Sequence, residues 1–292
     1  MSERPRVLAC GLATVDVAQV VERLPAPDEK VVARSASVSA GGPALNAAVT
    51  AALLWVPARL VTAVGSSPLA TVVRADVGTH GVELADVAAR GFEVPLSTVL
   101  VTEGSGERAV VSRNASGPSA GVDVPDAAAL RALLEDVTAV LVDGHHLAVA
   151  VPLAAAARAR DIPVILDAGS WKPGLEALLA HVDVLVASGD FRSPTGDSLE
   201  DLLSLGPWWV ARSAGAGPVS WRSAGGDEGS VAVPPVEVVD TLGAGDVLHG
   251  ALLADVGRRG TVDLAASLAG AVAVASRSVA AAGARGWARS TP

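Results

Sequence analysis

The alternation of short apolar runs with helical segments constrains the fold of this chain more than any other feature. The runs 7–12, 59–64, 139–142 and 163–167 are apolar at most positions, not only at every second residue. This pattern is typical of strands that are covered on both faces. Helical segments such as 126–136 separate the runs. We therefore expect an α/β fold, with a doubly wound, mostly parallel sheet flanked by helices.

Two stretches depart from this alternation, residues 13–38 and 92–114. Strand-like runs follow one another there without helices between them. In the second stretch, two such runs flank a glycine-containing turn at 103–106, which predicts a β-hairpin. We expect the two stretches to form a small antiparallel β lid on one edge of the main sheet, within a single domain spanning 1–292.

Composition excludes several classes of protein. The chain has 292 residues, half of them hydrophobic, and a net charge of −9. This excludes disorder over most of the chain and argues against nucleic-acid binding, which needs a basic surface. The single Cys10 excludes a disulfide framework and a multi-cysteine zinc site. We find no signal-peptide pattern and no apolar run of about 18 residues, so we expect a cytoplasmic protein with no membrane partner.

The segment from Asp240 to Asp246 reads Asp-Thr-Leu-Gly-Ala-Gly-Asp and precedes a helical run. The small residues Gly243, Ala244 and Gly245 leave backbone N–H groups accessible at a helix N-terminus, which suits a phosphoryl group. A carboxylate in the first turn, Asp246, is placed to accept a proton from a hydroxyl that attacks phosphorus. From spacing alone, an Asp that merely caps the helix is an equally good interpretation.

A second motif pairs Gly41 and Gly42 with Asn46. Adjacent glycines at a helix start allow the backbone to approach a ligand closely. The Asn side chain offers both a donor and an acceptor within an apolar helix. Taken alone, a tight turn followed by an exposed Asn is the simpler interpretation.

Together, the two motifs resemble the signatures of the ribokinase-like (PfkB) carbohydrate kinases. Their order and spacing fit this family, and the likeness spans nearly the whole chain. It is closest to ketohexokinases and sulfofructose kinases, through segments 238–252 and 283–286. The resemblance implies an ATP- and Mg²⁺-dependent kinase that phosphorylates a primary hydroxyl of a small sugar. A ketose or furanose is expected, and an anionic sugar such as sulfofructose is a further option.

The resemblance also implies roles for individual residues. Asp246 is the expected base, and the anion hole is formed by Gly243, Ala244 and Gly245. The sugar contacts are Asp16, Gly41, Gly42 and Asn46. The nucleotide-binding residues are Ser213, Gly215, Gly217 and Thr241, although the second glycine of that loop comes one position early. Asp240 holds a position at which some members bind a monovalent cation such as K⁺.

Three further side chains are candidates for substrate binding. Lysine occurs only twice, at Lys30 and Lys172, against twenty arginines. Lys30 falls in the predicted lid, where the resemblance to sulfofructose kinases implies a lysine near the anionic group of the sugar. Arg113 and His145 are further candidates. The alternative for Lys30 and Arg113 is a solvated surface charge, which protects an exposed strand from aggregation.

One departure from the family concerns the Asn-x-x-Glu segment that organises Mg²⁺ in many members. Here Ser188 and Phe191 occupy those positions. This departure motivates an alternative, a sugar- or metabolite-binding relative with little kinase activity. A ribokinase- or nucleoside-type kinase is a second alternative, although the absence of Tyr weakens base recognition. Open strand edges in the lid predict a homodimer.

Overall fold

The computed structural model describes residues 5–104, 108–113 and 121–290. The strands are β1 Arg6–Cys10, β2 Thr14–Val21, β3 Ser35–Gly41, β4 Ala58–Thr62, β5 Glu83–Asp86, β6 Leu96–Thr102, β7 Arg108–Ser112, β8 Val137–Val142, β9 Val164–Ala168, β10 Val184–Ala187, β11 Trp209–Ala214, β12 Gly217–Ser223 and β13 Glu228–Val231. The helices are α1 Pro43–Leu53, α2 Ala70–Thr79, α3 Ala127–Leu133, α4 Leu147–Arg158, α5 Leu175–Leu179, α6 Leu199–Leu203, α7 Ala244–Arg259 and α8 Leu264–Ser278, followed by a 3₁₀ turn at Gly286–Ser290.

The main sheet has nine strands in the order β13-β12-β11-β10-β9-β8-β1-β4-β5. The pairings from β11 to β5 are parallel, whereas β12 and β13 form an antiparallel hairpin at one edge. The expected α/β fold with a mostly parallel sheet is confirmed. The edge hairpin was not predicted, because residues 217–231 lack a continuous apolar run.

Strand β8 shows why the apolar runs form central strands. Ala139 and Leu141 join the core on one face of the sheet, which also contains residues of α1, α2, α7 and α8. Val140 and Val142 join the core on the other face, with residues of α3 to α6. Because both faces are covered, five of the six positions along the strand are apolar, and Thr138 is the exception.

A second, four-stranded sheet forms the lid, in the order β3-β2-β6-β7. Its β2–β3 and β6–β7 pairs are antiparallel, as expected, and its central β2–β6 pair is parallel. A parallel pair needs a long connection, and here the chain passes through β3, α1, β4, α2 and β5 before it returns. The turn predicted at 103–106 includes residues 105 and 106, which lie outside the described residues.

The fold brings several loops to one edge of the main sheet. Parallel strands β1, β8 and β9 end there, and ligands of open α/β sheets bind at such an edge. In the chain, the lid strands β2 and β3 lie between β1 and α1, and the lid strands β6 and β7 lie between β5 and α3. Within the described residues, no helix has the length and apolarity that crossing a membrane requires.

Candidate active site

A cleft of about 760 Å³ lies between the lid and the carboxyl ends of the main-sheet strands. Both lid and sheet contribute polar side chains to its wall. These include Asp16 and Ser97 from the lid, Asp167 from the end of β9, Asp143, His145 and Lys172 from the loops after β8 and β9, Asp246 from α7, and Asp76, His80 and Arg285.

The first turn of α7 places Asp246 in this cleft. Gly243 precedes the helix with φ of 75°, a left-handed conformation that glycine adopts at low cost. Asn46 Nδ2 donates to Asp246 Oδ2 at 2.7 Å, across 200 residues of sequence. Burial, together with repulsion from Asp167, raises the pKa of Asp246 to about 7. A carboxyl group with this pKa is suited to act as a general base near neutral pH.

The amides at the start of α7 leave room for an anion. A Cβ on Gly245 would meet no atom within 4 Å, so the backbone there faces open space. The Ala244 amide bonds to Thr241 O at 3.3 Å. Among the described residues, no acceptor is assigned to the amides of Gly245 and Asp246. These two N–H groups are therefore available to stabilise an oxyanion beside the carboxylate.

Arg285 fixes the orientation of Asn46. Its Nη2 donates to Asn46 Oδ1 at 3.1 Å and to Ala40 O at 3.2 Å, and its Nη1 pairs with Asp76. A guanidinium has donors only, so the amide oxygen of Asn46 must face it and the amide nitrogen must face Asp246. Sequence reasoning noted the segment 283–286 but did not assign Arg285 to the site.

The glycine pair makes room for the carboxylate of Asp16. A Cβ on Gly41 would lie 2.0 Å from Asp16 Oδ2, and one on Gly42 would lie 2.4 Å from Leu12 O. Thr14 Oγ1 donates to Asp16 Oδ1 at 2.9 Å. Burial raises the pKa of Asp16, although this hydrogen bond opposes the effect. The close approach predicted for Gly41 and Gly42 is therefore made by parts of the chain itself.

Asp143 is a site residue that sequence reasoning missed. Its buried carboxylate accepts the amides of Leu12 at 2.8 Å and His145 at 2.9 Å, and the His145 Nδ1 lies 3.1 Å away. Burial alone would raise the pKa of Asp143, but the charge and hydrogen bonds of His145 lower it overall. These contacts with the Asp143 carboxylate orient the half-buried ring of His145 at the cleft wall.

Sequence reasoning also missed the pair formed by His249 and Asp167, which lies close to the first turn of α7. His249, one helical turn after Asp246, has Nδ1 2.7 Å from Gly245 O and 3.4 Å from Asp167 Oδ2. Its Nε2 lies 3.3 Å from Val186 O, at the end of β10. A polar residue inside the apolar run 247–254 was the available signal. His249 thus links the start of α7 to the main sheet.

Comparison with known proteins decides the family. The model of the pfkB family carbohydrate kinases matches residues 4–290. The chain belongs to this family. It is therefore a carbohydrate kinase, as the two motifs predicted.

Individual relatives extend the likeness over most of this kinase. It is 30% identical over 285 residues to the ATP-dependent ribose-1-phosphate kinase of Halopiger xanaduensis, covering 91% of this chain and 90% of the relative. It is 27% identical to the ribokinase of Bacillus subtilis, covering 96% and 94%. The structure of Arabidopsis thaliana ribokinase complexed with ribose and ATP shares the fold, with a TM-score of 0.77 and 22% identity over 96% of this chain and 94% of that one. The closer likeness expected to ketohexokinases and sulfofructose kinases is not confirmed.

The structure does not bring every predicted substrate residue of the kinase to the cleft. Lys30 lines a separate groove of the lid, together with Glu22 and Arg34. Arg113 is exposed, and its Nη1 lies 3.9 Å from a carboxylate oxygen of Glu93. Neither side chain lines the cleft, whereas Lys172 does.

The predicted nucleotide residues lie farther along the same sheet edge. Ser213 lies near the end of β11, Gly215 in the turn that follows and Gly217 at the start of β12, three strands away from β8. Gly215 has φ of 60°, and a Cβ there would meet no atom within 4 Å. Thr241 is exposed in the turn before α7. Nucleotide binding by these residues stays a prediction.

Asp240 anchors the loop before α7. Its Oδ1 accepts the Leu242 amide at 2.9 Å and its Oδ2 accepts the Gly283 amide at 2.9 Å. The carboxylate therefore ties the anion-hole loop to the C-terminal segment that carries Arg285. A monovalent cation at Asp240 stays a prediction.

In the segment that replaces Asn-x-x-Glu, the residue at the Glu position belongs to the core. Phe191 is fully buried, and its ring centroid lies 6.2 Å from that of Trp171. Among the described residues, no three metal-ligating side chains cluster. Nucleotide-bound Mg²⁺ usually takes one or two carboxylates and fills its other positions with phosphate oxygens and water. Asp167, at the cleft wall, fits that limited requirement.

Proposed function

We propose that this kinase transfers the γ-phosphoryl group of ATP to a primary hydroxyl of a small sugar, with Asp246 as the base. The observation that carries this proposal is the environment of Asp246. The carboxylate has a pKa of about 7, is held by Asn46, and lies beside amides without assigned acceptors in the described residues. The combination matches a base that must take a proton next to a developing oxyanion.

The residues of the cleft divide the work of the reaction. Asp246 accepts the proton of the sugar hydroxyl, and the hydroxyl oxygen then forms a bond to the γ-phosphorus while the bond to the ADP oxygen breaks. The amides of Gly245 and Asp246 donate to the phosphoryl oxygens as the phosphoryl group moves. Asn46 keeps the carboxylate oriented toward the hydroxyl. Bound Mg²⁺ would neutralise phosphate charge, and Asp167 is the carboxylate best placed to hold it.

The sugar is expected to lie between the lid and the loop after β8. Asp16 and His145 present polar groups there that can bind hydroxyls. The named relatives favour a furanose such as ribose or its 1-phosphate over a ketohexose, and so favour the ribokinase-type alternative. Ketoses and sulfofructose remain part of the substrate test.

The test is an ADP-release assay with ATP and Mg²⁺ over ribose, ribose 1-phosphate, fructose, sulfofructose and adenosine. Asp246→Asn should lower kcat by about 10²- to 10⁴-fold for the best substrate. Asp161→Asn is the matched control, because Asp161 is exposed and has a φ of 56° that Asn tolerates. Equal rates for the two variants would contradict the role of Asp246.

The same assay gives a pH profile. Because a base works only when it is deprotonated, kcat/KM should rise with pH and level off above about 7, the pKa of Asp246. The binding-protein alternative predicts sugar binding by calorimetry without ADP release at any pH. That result would replace the proposed function.

We further propose that two copies of the kinase pair through the lid. The edge strands β3 and β7 expose Val38 and Val111, whose exposed fractions are 56% and 76%. Open strand edges with apolar side chains favour association. Val111→Lys should shift the mass measured by light scattering from dimer to monomer, and a monomeric parent protein would contradict the pairing.

A further inference from the structure

We propose that Lys172 forms a binding subsite for an anionic substituent, such as a phosphate monoester, on the sugar that the kinase phosphorylates. The inference rests on the proposed function, because it specifies the substrate class of the same cleft. It replaces the expectation that Lys30 binds such a group.

The position of the Lys172 ammonium group indicates that it faces the sugar and not the nucleotide. Lys172 follows β9, which lies between β8 and β10 in the main sheet. A Cβ on Gly144 would lie 3.6 Å from Lys172 Nζ, so the side chain extends over the loop after β8. That loop also carries Asp143 and His145. The ammonium therefore points toward the sugar half of the cleft and away from the β11 turn, where the nucleotide is expected.

The hydrogen bonds of Lys172 leave it free to bind a ligand. An ammonium has three N–H donors. The described residues take one of them, through Ser170 O at 3.4 Å, a weak contact. None of the ion pairs within 4.0 Å among those residues involves Lys172, although its charge opposes the rise in the pKa of the nearby Asp167. The other cation of the cleft, Arg285, is already bonded to Asp76, Asn46 and Ala40 O.

The charge of the remaining wall restricts where an anion can bind. The cleft is lined by five carboxyl groups, those of Asp16, Asp76, Asp143, Asp167 and Asp246. An anionic substituent is repelled by ionised carboxylates, so it needs a site where a positive charge and unused donors occur together. Lys172 provides both at the edge of the cleft. A neutral hydroxyl can accept a hydrogen bond from this ammonium, whereas an anionic substituent also balances its charge.

The first test uses the only two lysines of the chain. Lys172→Met removes the proposed contact, Lys172→Arg retains the charge, and Lys30→Met is the matched control outside the cleft. We expect Lys172→Met to raise KM for ribose 1-phosphate by about 10- to 100-fold, as expected for loss of a hydrogen bond to a charged group. KM for ribose and for ATP should change by less than about 2-fold. Lys172→Arg should recover part of the loss, and Lys30→Met should behave like the parent protein.

The second test does not depend on turnover. The kinase is treated with a lysine-acetylating reagent, and labelling of Lys172 and Lys30 is read separately by mass spectrometry. Ribose 1-phosphate should protect Lys172 and not Lys30, whereas ribose should protect neither.

The two tests separate failure of the subsite from failure of the proposed function. If no sugar is phosphorylated but ribose 1-phosphate protects Lys172, the proposed function fails and the subsite stands. If Lys172→Met changes only KM for ATP, or if ribose 1-phosphate gives no protection, the subsite is overturned even when the kinase is active.

Discussion

Replacing Asp246 with Asn should stabilise the folded kinase while it removes activity. The Asn side chain has nearly the same shape and can still accept the hydrogen bond from Asn46 Nδ2, which is 2.7 Å long in the parent structure. It carries no charge that must be buried. In the parent protein, burial and repulsion from Asp167 raise the pKa of Asp246 from 3.8 to about 7. That shift measures how strongly folding disfavours the ionised carboxylate.

The size and sign of the expected change in stability follow from the shift in the pKa of Asp246. The difference between 3.8 and about 7 is about 3 pKa units, and at 1.36 kcal/mol per unit it sets an upper limit of about 4 kcal/mol. Asp246 is partly exposed, so water screens part of this electrostatic cost. We therefore expect the free energy of unfolding of Asp246→Asn to exceed that of the parent by about 1 to 3 kcal/mol above pH 7. Below pH 3.8 the carboxyl is protonated in both states and the cost is absent. As pH rises toward 7, only the unfolded chain ionises fully, and the parent protein loses stability relative to the variant.

The assay is guanidinium denaturation of the parent protein, Asp246→Asn and the control Asp161→Asn at pH 5 and pH 8. The free energy of unfolding of Asp246→Asn should exceed that of the parent, and the difference should be larger at pH 8. Asp161→Asn should follow the parent at both pH values. A difference that does not change with pH, or a variant less stable than the parent at pH 8, would refute the argument that Asp246 is held against its ionised form.

Two further substitutions test how the site is held. Asn46→Leu removes a hydrogen bond that lowers the pKa of Asp246. The rise of kcat/KM with pH should therefore move to higher pH by about one unit, and an unchanged pH profile would contradict this role of Asn46. Gly41→Ala would put a Cβ 2.0 Å from Asp16 Oδ2, and the displaced carboxylate should lower kcat/KM for the sugar by about 10- to 100-fold. Gly78→Ala, with no atom within 4 Å of its Cβ, should leave the kinetics unchanged.

The central strands could be predicted because their pattern is local. All residues of β8 except Thr138 are apolar, since both faces of the sheet are covered by helices. The parallel pairing of β2 with β6 could not be predicted, because it depends on where the chain returns after five intervening elements. The hairpin β12–β13 was missed for another reason. As an edge of the sheet it buries only part of its side chains, so its sequence lacks the apolar run of a central strand.

The candidate site was predictable where a motif marks it. Asp246 and Asn46 lie 200 residues apart, and the two family signatures were enough to expect both in one cleft. Arg285 lies in the segment 283–286 that contributed to the resemblance, but its contact with Asn46 is visible only in three dimensions. The rarity of lysine drew attention to Lys30, but rarity is a property of composition and not of position. The loop after β9 instead brings Lys172 to the cleft.

The departure at Phe191 does not by itself argue against kinase activity. The ring is fully buried beside Trp171, where a carboxylate would lose several kcal/mol of hydration. Arg212 donates to the carbonyls of Ser188 and Phe191, each at 3.2 Å, so the loop is held without an Asn side chain. This loop therefore supplies packing in place of a metal-organising pair. Because Mg²⁺ on a nucleotide needs few protein carboxylates, the environment of Asp246 carries more weight for catalysis than the missing acidic residue does.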